Sequence, residues 1–271
     1  MMKIFNTIIK DKLTNYKGMY ECECVHLQRS LPFRALFSNH VISDIAQLFP
    51  PETTSNLVYV TQGPGGLFFD FVMINKLIDL GYRSITVILI EELYQENIDI
   101  VQACLDFTAW FKELEHGHSN HPRVQPFFYK SFDEYAHVCR KNTALRGHVL
   151  LTVDPDDKKT IPHFESKEFR KNFNKILKKI MLPTAAFYTL YFQNNLRHML
   201  LGRVYQEDNQ LIIAYEHHYG DQNFTDQRNR LFLDNQEVLP CETVQYGVQI
   251  DDTITSSQKF FHLLEKPLKK N

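Results

Sequence analysis

Apolar and polar residues alternate along the middle of the chain in blocks that predict strands and helices in turn. Five short apolar runs are rich in β-branched and aromatic residues, which is typical of strands buried on both faces of a sheet. They begin near Leu57, Ile85, Val124, Val149 and Ala185. The stretches between them, such as 67–80 and 95–115, carry apolar residues at helical spacing. This repeated strand–helix order predicts a parallel sheet that is covered by helices.

The two ends of the chain show different patterns. Residues 1–52 have no such alternation and predict an N-terminal cap or extension, ahead of a Rossmann-like domain over 53–271. Residues 198–218 alternate around the polar turn "QEDNQ", which predicts an antiparallel hairpin. The predicted fold is therefore a Rossmann-like α/β fold: an open, mostly parallel sheet with helices on both faces and antiparallel strands at its C-terminal end.

Composition narrows the class of protein only slightly. The 271 residues carry a formal net charge of -2, so no global basic field indicates nucleic acid or membrane. No apolar run approaches the ~20 residues that a membrane span requires. The five cysteines lack the spacing of a disulfide framework, which predicts free thiols and a cytoplasmic location.

Two groups of possible metal ligands are present, and both are incomplete. Cys22 and Cys24 have no second cysteine or histidine pair to complete four ligands. His116, His118 and His121 lie close together without a cysteine or carboxylate partner. The sequence therefore predicts no metal site.

The glycine-rich turn "QGPGG" follows the first predicted strand of the alternation. Gly63, Gly65 and Gly66 lack side chains, so backbone amides there can approach a ligand closely. A Walker phosphate loop would require a Lys after the glycines, and none follows. A dinucleotide fingerprint would place its third glycine at Phe68.

The turn resembles the first motif of class I S-adenosylmethionine-dependent methyltransferases, in which a glycine-rich turn passes beneath the amino-acid part of the cofactor. In that family an acidic residue after the second strand binds the ribose hydroxyls, which implies this role for Glu91, with Glu92 as the alternative. The resemblance also implies adenine contacts at Ser131 and Asp133, and catalytic-loop positions at Asp154 and Asp156. The acidic residue that is common before the glycines is replaced by Thr61 or Gln62.

Three classes of function stay open at this point. The resemblance implies an S-adenosylmethionine-dependent methyltransferase with an unknown acceptor and a small nucleoside-type ligand. The missing acidic residue before the glycines favours a non-catalytic interaction or effector protein on the same scaffold. A third alternative is another enzyme that binds NAD or a nucleotide.

A lysine-rich amphipathic helix is predicted over 165–181. An acidic or nucleic-acid partner is one interpretation of its charge. A basic helix face that is simply solvated is the commoner case, and it is the expectation from sequence alone.

Overall fold

The computed structural model describes residues 18–19, 27–94, 96–116, 122–153, 167–193, 196–207, 210–220, 228–233 and 236–241. The described helices are α1 (Leu27–Leu48), α2 (Phe68–Asp79), α3 (Ile98–His116), α4 (Phe132–Lys141) and α5 (Lys167–Ile180), with a 3-10 turn at Thr143–Leu145. The described strands are β1 (Leu57–Gln62), β2 (Ser84–Ile90), β3 (Arg123–Tyr129), β4 (Gly147–Val153), β5 (Met181–Gln193), β6 (Leu196–Glu207), β7 (Gln210–Gly220), β8 (Arg228–Leu233) and β9 (Gln236–Cys241).

The described strands form one sheet in the order β3-β2-β1-β4-β5-β6-β7-β8-β9. The first five strands pair in parallel, and each pairing from β5 onward to β9 is antiparallel. The predicted fold class is therefore confirmed, together with the five parallel strands near the expected positions and the predicted hairpin, which is β6 and β7. The chain builds outward from β1 to β3 and then returns to place β4 on the other side of β1.

The strands alternate their side chains between two separate cores. In β1, Leu57 and Tyr59 pack with α1, α2 and α3 on one face, while Val58 and Val60 pack with α4 and α5 on the other. All four residues are fully buried. Burial on both faces explains why these strands appear in the sequence as continuous apolar runs without polar alternation.

Helix α1 is longer than the sequence predicts. The sequence favours a helix over 38–49, whereas α1 begins at Leu27 and ends at Leu48, just before the two prolines at 50 and 51. Phe37, Val41 and Ile45 contribute fully buried side chains to the same core as β1 and α2. The predicted boundary at residue 52 stays a prediction, and α1 packs directly on the sheet. The sequence also predicts a strand over 19–27, most of which falls outside the described residues.

Asp44 fastens α1 to the sheet. One of its carboxylate oxygens, Oδ2, accepts hydrogen bonds from the Tyr188 hydroxyl of β5, at 2.6 Å, and from the Arg203 guanidinium of β6. The Arg203 guanidinium carbon also lies 5.9 Å from the centre of the Tyr188 ring. The Asp44 side chain is only 16% exposed, so water screens this group of contacts weakly.

Strand β3 is one edge of the described sheet. The carbonyl of Tyr129 accepts from the Glu91 N–H, so the backbone groups of Tyr129 point toward β2. Backbone polar groups alternate in direction along a strand, so Pro126 points toward the open edge. A proline has no N–H to donate there.

His148 lies at the start of β4 and connects this strand to the start of β1. Its Nδ1 accepts a hydrogen bond of 3.0 Å from the Val58 N–H, and its ring contacts the edge of Phe49. Burial lowers the pKa of His148. Since Nδ1 accepts a hydrogen bond from an N–H group, it carries no proton itself, and the imidazole is neutral in the folded state.

We expect Asp44→Ala to lower the free energy of unfolding by about 1.5–3 kcal/mol, the range for hydrogen bonds to a charged group. Urea denaturation measures the change. Glu52→Ala, which removes an exposed carboxylate, is the matched control and should change the value by less than about 0.5 kcal/mol. Equal effects of the two substitutions would contradict a fastening role for Asp44.

We expect His148 to make the fold less stable below neutral pH. Its folded pKa lies below its unfolded pKa of about 6.5, so the unfolded state binds the proton more tightly as the pH falls through that value. Stability is therefore present above about pH 6.5 and is lost as the pH falls toward the folded pKa. His148→Asn, which retains an acceptor near Nδ1, should flatten the dependence of unfolding free energy on pH between about 7 and 5. An unchanged slope in the variant would refute this origin.

Candidate functional site

The candidate site lies where the loops leave the carboxyl ends of β1, β2 and β3. The Gly63 N–H donates to the Ile90 carbonyl at 2.9 Å, and the Glu91 N–H donates to the Tyr129 carbonyl at 3.0 Å. These two bonds hold the glycine turn, the end of β2 and the end of β3 in one row. The glycine turn follows β1, whose neighbours in the sheet are β2 and β4. The order of the strands reverses at β1, so the turn lies at the switch point of the sheet. Ligands of open α/β sheets bind at such points.

The glycine turn has a conformation that needs its glycines. Gly63 and Gly65 have φ angles of +65° and +50°, which favour residues without a Cβ atom. A Cβ atom added to either one would meet nothing within 4 Å, so the turn borders open space. The Leu67 N–H closes the turn on the Pro64 carbonyl at 2.9 Å.

Leu67, at the junction of the turn and α2, also lies in the left-handed region. Its φ is +64° and its side chain is fully buried. Left-handed backbone costs a non-glycine residue roughly 1–2 kcal/mol. The burial of its side chain against the core offsets that cost and fixes the start of α2. Leu67 is the N-cap residue of α2, and its side chain accepts no hydrogen bond from the backbone amides of the first turn.

A buried carboxylate that the sequence analysis missed lies behind the turn. Asp70, in the first turn of α2, is 2% exposed and accepts a hydrogen bond of 2.8 Å from the Tyr59 hydroxyl. Burial, and then the Asp70 charge, raise the pKa of Tyr59 well above its ordinary value. The signal in the sequence is a single carboxylate within the apolar stretch "LFFDFVMINKL".

The predicted polar residues after β2 and β3 all lie at this edge. Glu91 is half-buried, and its Oε1 accepts from the Leu93 N–H at 3.2 Å, which shapes the turn after β2. Glu92 is exposed. The Ser131 hydroxyl accepts from the Glu134 N–H and caps α4, whose exposed Asp133 lies in the first turn. Capping gives Ser131 a structural role, and ligand contacts at all four residues stay predictions.

Acidic residues dominate the charge of this edge. The segments 62–70, 91–94 and 130–134 together contain five carboxylates and one lysine, Lys130. The carboxylates are Asp70, Glu91, Glu92, Asp133 and Glu134. Such an edge attracts a ligand with a positive group and opposes one with several phosphates.

Tyr94 carries a buried hydroxyl that finds no hydrogen-bond partner in the described part of the chain. Burial raises its pKa well above the ordinary value, and the nearby Cys104, Asp70 and Glu91 add to the shift. Burial, followed by the Glu91 charge, also raises the pKa of Cys104 to about 12. Cys104 is therefore a neutral thiol at physiological pH and a poor nucleophile.

A cavity of about 600 Å³ lies beside the row, between α3 and the end of β3. It is lined by Tyr94, Val101, Cys104, Leu105, Thr108, Ala109, Lys112, Phe128, Tyr129, Lys130 and Glu134. None of the predicted glycines or Glu91 lines it. The cavity therefore lies at the β3 edge of the sheet and is separate from the switch point beside β1.

The remaining predicted site residues, Asp154 and Asp156, lie outside the described residues, as do His118 and His121. Within the part of the chain that the structure describes, His, Cys, Asp and Glu form no group of three that could hold a metal ion. No described helix is both long enough and apolar enough to cross a membrane.

Comparison with known proteins finds similarity only among solved structures. No protein-family model and no curated protein matches the sequence. The chain resembles a protein described as a candidate protein-L-isoaspartate O-methyltransferase from Plasmodium falciparum, in complex with S-adenosyl-L-homocysteine. The identity is 11%, the TM-score is 0.39, and 79% of this chain and 72% of that one are covered.

Two bacterial structures give similar values. One is an S-adenosylmethionine-dependent methyltransferase from Clostridium acetobutylicum, with 12% identity, a TM-score of 0.32, and 77% of this chain and 78% of that one covered. The other, from Listeria monocytogenes, is described as a candidate class I S-adenosylmethionine-dependent methyltransferase. It has 13% identity and a TM-score of 0.41, with 70% of this chain and 55% of that one covered. The class named by these structures is the one that the sequence motifs resemble. At such TM-scores the likeness assigns no ligand and no activity to this chain.

We expect two tyrosine-to-phenylalanine substitutions beside the site to have opposite effects on stability. Tyr94→Phe removes a buried hydroxyl without a described partner and should raise the free energy of unfolding by about 1 kcal/mol. Tyr59→Phe removes the hydroxyl that donates to Asp70 and should lower it by about 1.5–3 kcal/mol. Urea denaturation of both variants measures the difference, and changes of the same sign would contradict this account.

Proposed function

We propose that the chain binds S-adenosylmethionine at the carboxyl edge of the sheet and acts as a methyltransferase. The hydrogen bond between Gly63 and Ile90 is the observation that carries this proposal. It places the open glycine turn next to Glu91, at the switch point of a sheet with the order β3-β2-β1-β4-β5 over its parallel part. A nucleoside with an extended tail can contact both features at once.

The residues at this edge suit S-adenosylmethionine. Glu91, or Glu92 beside it, would accept hydrogen bonds from the ribose diol, since a carboxylate has two oxygens for two hydroxyls. Gly65 and Gly66 would present backbone amides to the carboxylate of the amino-acid tail, while Gly63, whose N–H is bonded to Ile90, would let the tail approach the turn closely because it has no side chain. Ser131 and Asp133 would lie at the adenine end.

Charge favours S-adenosylmethionine over phosphate-bearing nucleotides. The ligand carries a sulfonium and an ammonium group against one carboxylate, and the segments 62–70, 91–94 and 130–134 together contain five carboxylates and one lysine. NAD or a nucleoside triphosphate would bring two or more negative charges into the same place without an opposing cluster of basic residues in the described segments. This difference is why NAD is the weaker alternative.

Bound S-adenosylmethionine would supply an electrophilic methyl group. The protein's own part would be to hold donor and acceptor in line, which lowers the barrier without covalent participation of the chain. Asp154 and Asp156 would orient the acceptor or take its proton. The identity of the acceptor is left open by this proposal.

Titration calorimetry with S-adenosylmethionine, S-adenosylhomocysteine, NAD and ATP tests the binding step. We expect the first two to bind and Gly65→Val to abolish binding, because its side chain would fill the open space over the turn. Glu91→Ala should weaken binding by about 1.5–3 kcal/mol, which is roughly tenfold to 150-fold in Kd.

Glu52→Ala, at the opposite end of the sheet, is the matched control for Glu91→Ala and should bind with unchanged affinity. Circular dichroism checks that Gly65→Val still folds, because a β-branched residue is strained at its positive φ. If S-adenosylmethionine, S-adenosylhomocysteine, NAD and ATP all fail to bind the wild-type chain at millimolar concentration, the glycine turn only connects β1 to α2. A non-catalytic interaction protein would then be the better interpretation.

A further inference from the structure

One face of the sheet presents basic side chains that have no acidic partner among the described residues. We call it the basic face, and it consists of Arg140, Lys141, Arg146, Lys171, Lys175, Lys178 and Lys179. Five of these residues are exposed, while Arg146 and Lys178 are partly exposed. None forms an ion pair with any residue in the described part of the chain. The Nε of Arg146 is a buried donor that has no hydrogen-bond partner there.

The basic face stands out against the charge of the whole chain. Helices α4 and α5 together contain eight basic and three acidic residues, although the chain has a net charge of -2. Helix α3, which covers the other face of the sheet, contains four acidic residues and one lysine. Charge is therefore segregated between the two faces of the sheet, and this segregation is invisible in the net charge.

In the part of the chain that the structure describes, the basic face carries no exposed apolar side chain that could anchor it in a membrane or a protein interface. Phe173, Leu177 and Ile180 of α5 are buried against the sheet. The large hydrophobic residues that are exposed in the described part of the chain belong to α1, α3, β3, the loop after β2 and the residue that follows α2, and none lies on α4 or α5. Membrane-surface helices and stable protein interfaces both need exposed apolar or aromatic side chains. A surface with several lysines and no such apolar side chains is suited to bind a backbone of successive phosphates.

The lysines of α5 are also arranged in a row. Lys171, Lys175 and Lys179 follow each other at intervals of four residues, about 6 Å per step along the helix axis. Because α5 precedes β5, which is parallel to β1, the N-terminal end of α5 lies at the carboxyl edge of the sheet. A strand bound along the row would lead toward the edge that holds the candidate site.

We propose that the basic face binds the phosphate backbone of a nucleic acid. The interface consists of the α5 lysine row together with Arg140, Lys141 and Arg146 at the far end of α4. Contacts to phosphates carry no sequence information, so binding through this face is non-specific and depends on salt. If the proposed methyl transfer also holds, this surface makes a nucleic acid the acceptor class. The surface itself does not depend on that transfer.

Fluorescence anisotropy with short labelled single-stranded RNA, single-stranded DNA and duplex DNA tests the interface without any cofactor. We expect binding at about 50 mM NaCl that weakens steeply by about 200 mM, because each lysine–phosphate contact releases counterions. Lys171→Gln with Lys175→Gln should weaken binding about tenfold and reduce the slope of log affinity against log salt by about 1.5. Glutamine has a helix propensity close to that of lysine, so α5 should stay intact.

Lys112→Gln with Arg123→Gln is the matched control, because it removes the same charge from the α3 side of the sheet. Both residues are exposed, and this pair should leave affinity and salt slope unchanged. Absence of binding to all three nucleic acids, salt-insensitive binding, or equal losses in the two double variants would overturn the proposal. Binding of the chain to phosphatidylserine vesicles through the α5 lysines, without nucleic-acid binding, would also overturn it. These results are independent of the calorimetric test of S-adenosylmethionine.

Discussion

Parallel pairing of β1 with β2 on one side and β4 on the other is the constraint on which the site depends. A parallel pair cannot be joined by a tight turn, so each crossover must pass over a face of the sheet and return. The crossover through α2 leaves β1 toward β2, while the chain later arrives at β4 from the opposite direction. Among the described residues, the loop after β1 therefore has no covering neighbour on one side, and the glycine turn lies in that gap.

The local backbone accepts strain to keep this gap open. Leu67 adopts a left-handed conformation that costs free energy, and the burial of its side chain offsets the cost. Gly63 and Gly65 have positive φ angles, and no described atom lies within 4 Å of where their side chains would begin. Behind the turn, the Tyr59 hydroxyl donates a hydrogen bond to Asp70 in the first turn of α2, and both side chains are buried. The glycine turn therefore has one side at the surface and another side that packs against buried residues.

The parallel strands β1, β2 and β4 were predictable from sequence because both of their faces are buried. The apolar runs near Leu57 and Ile85 have no polar alternation, and length separates them from the helices. Positions near strand ends, such as Glu91 and Ser131, followed from the same reasoning. Helix α1 was predicted too short because its N-terminal part lacks a clear apolar period, and its position depends on the distant contacts of Asp44 with Tyr188 and Arg203.

The features that sequence reasoning missed depend on contacts between distant residues. Asp70 is recognisable as a buried carboxylate only once Tyr59 is placed beside it, eleven residues earlier in the chain. The charge segregation between α3 and α5 is equally invisible in one dimension, because the sheet that separates the two helices is not yet formed. The local pattern of apolar residues predicts helices and strands. Which face of the sheet carries which charge follows only from how these helices and strands pack.

Pro126 has a consequence for how the molecule behaves at high concentration. An exposed edge strand can extend its hydrogen-bond ladder into a second molecule, and repetition of that step produces fibrils. Beside Pro126 the outward row of donors has a gap in the middle of a seven-residue strand. A docking strand from another copy would lose a central bond, so growth of the sheet across molecules stops at this edge. Phe127 and Phe128 can therefore be partly exposed on β3 without turning the edge into a template for aggregation.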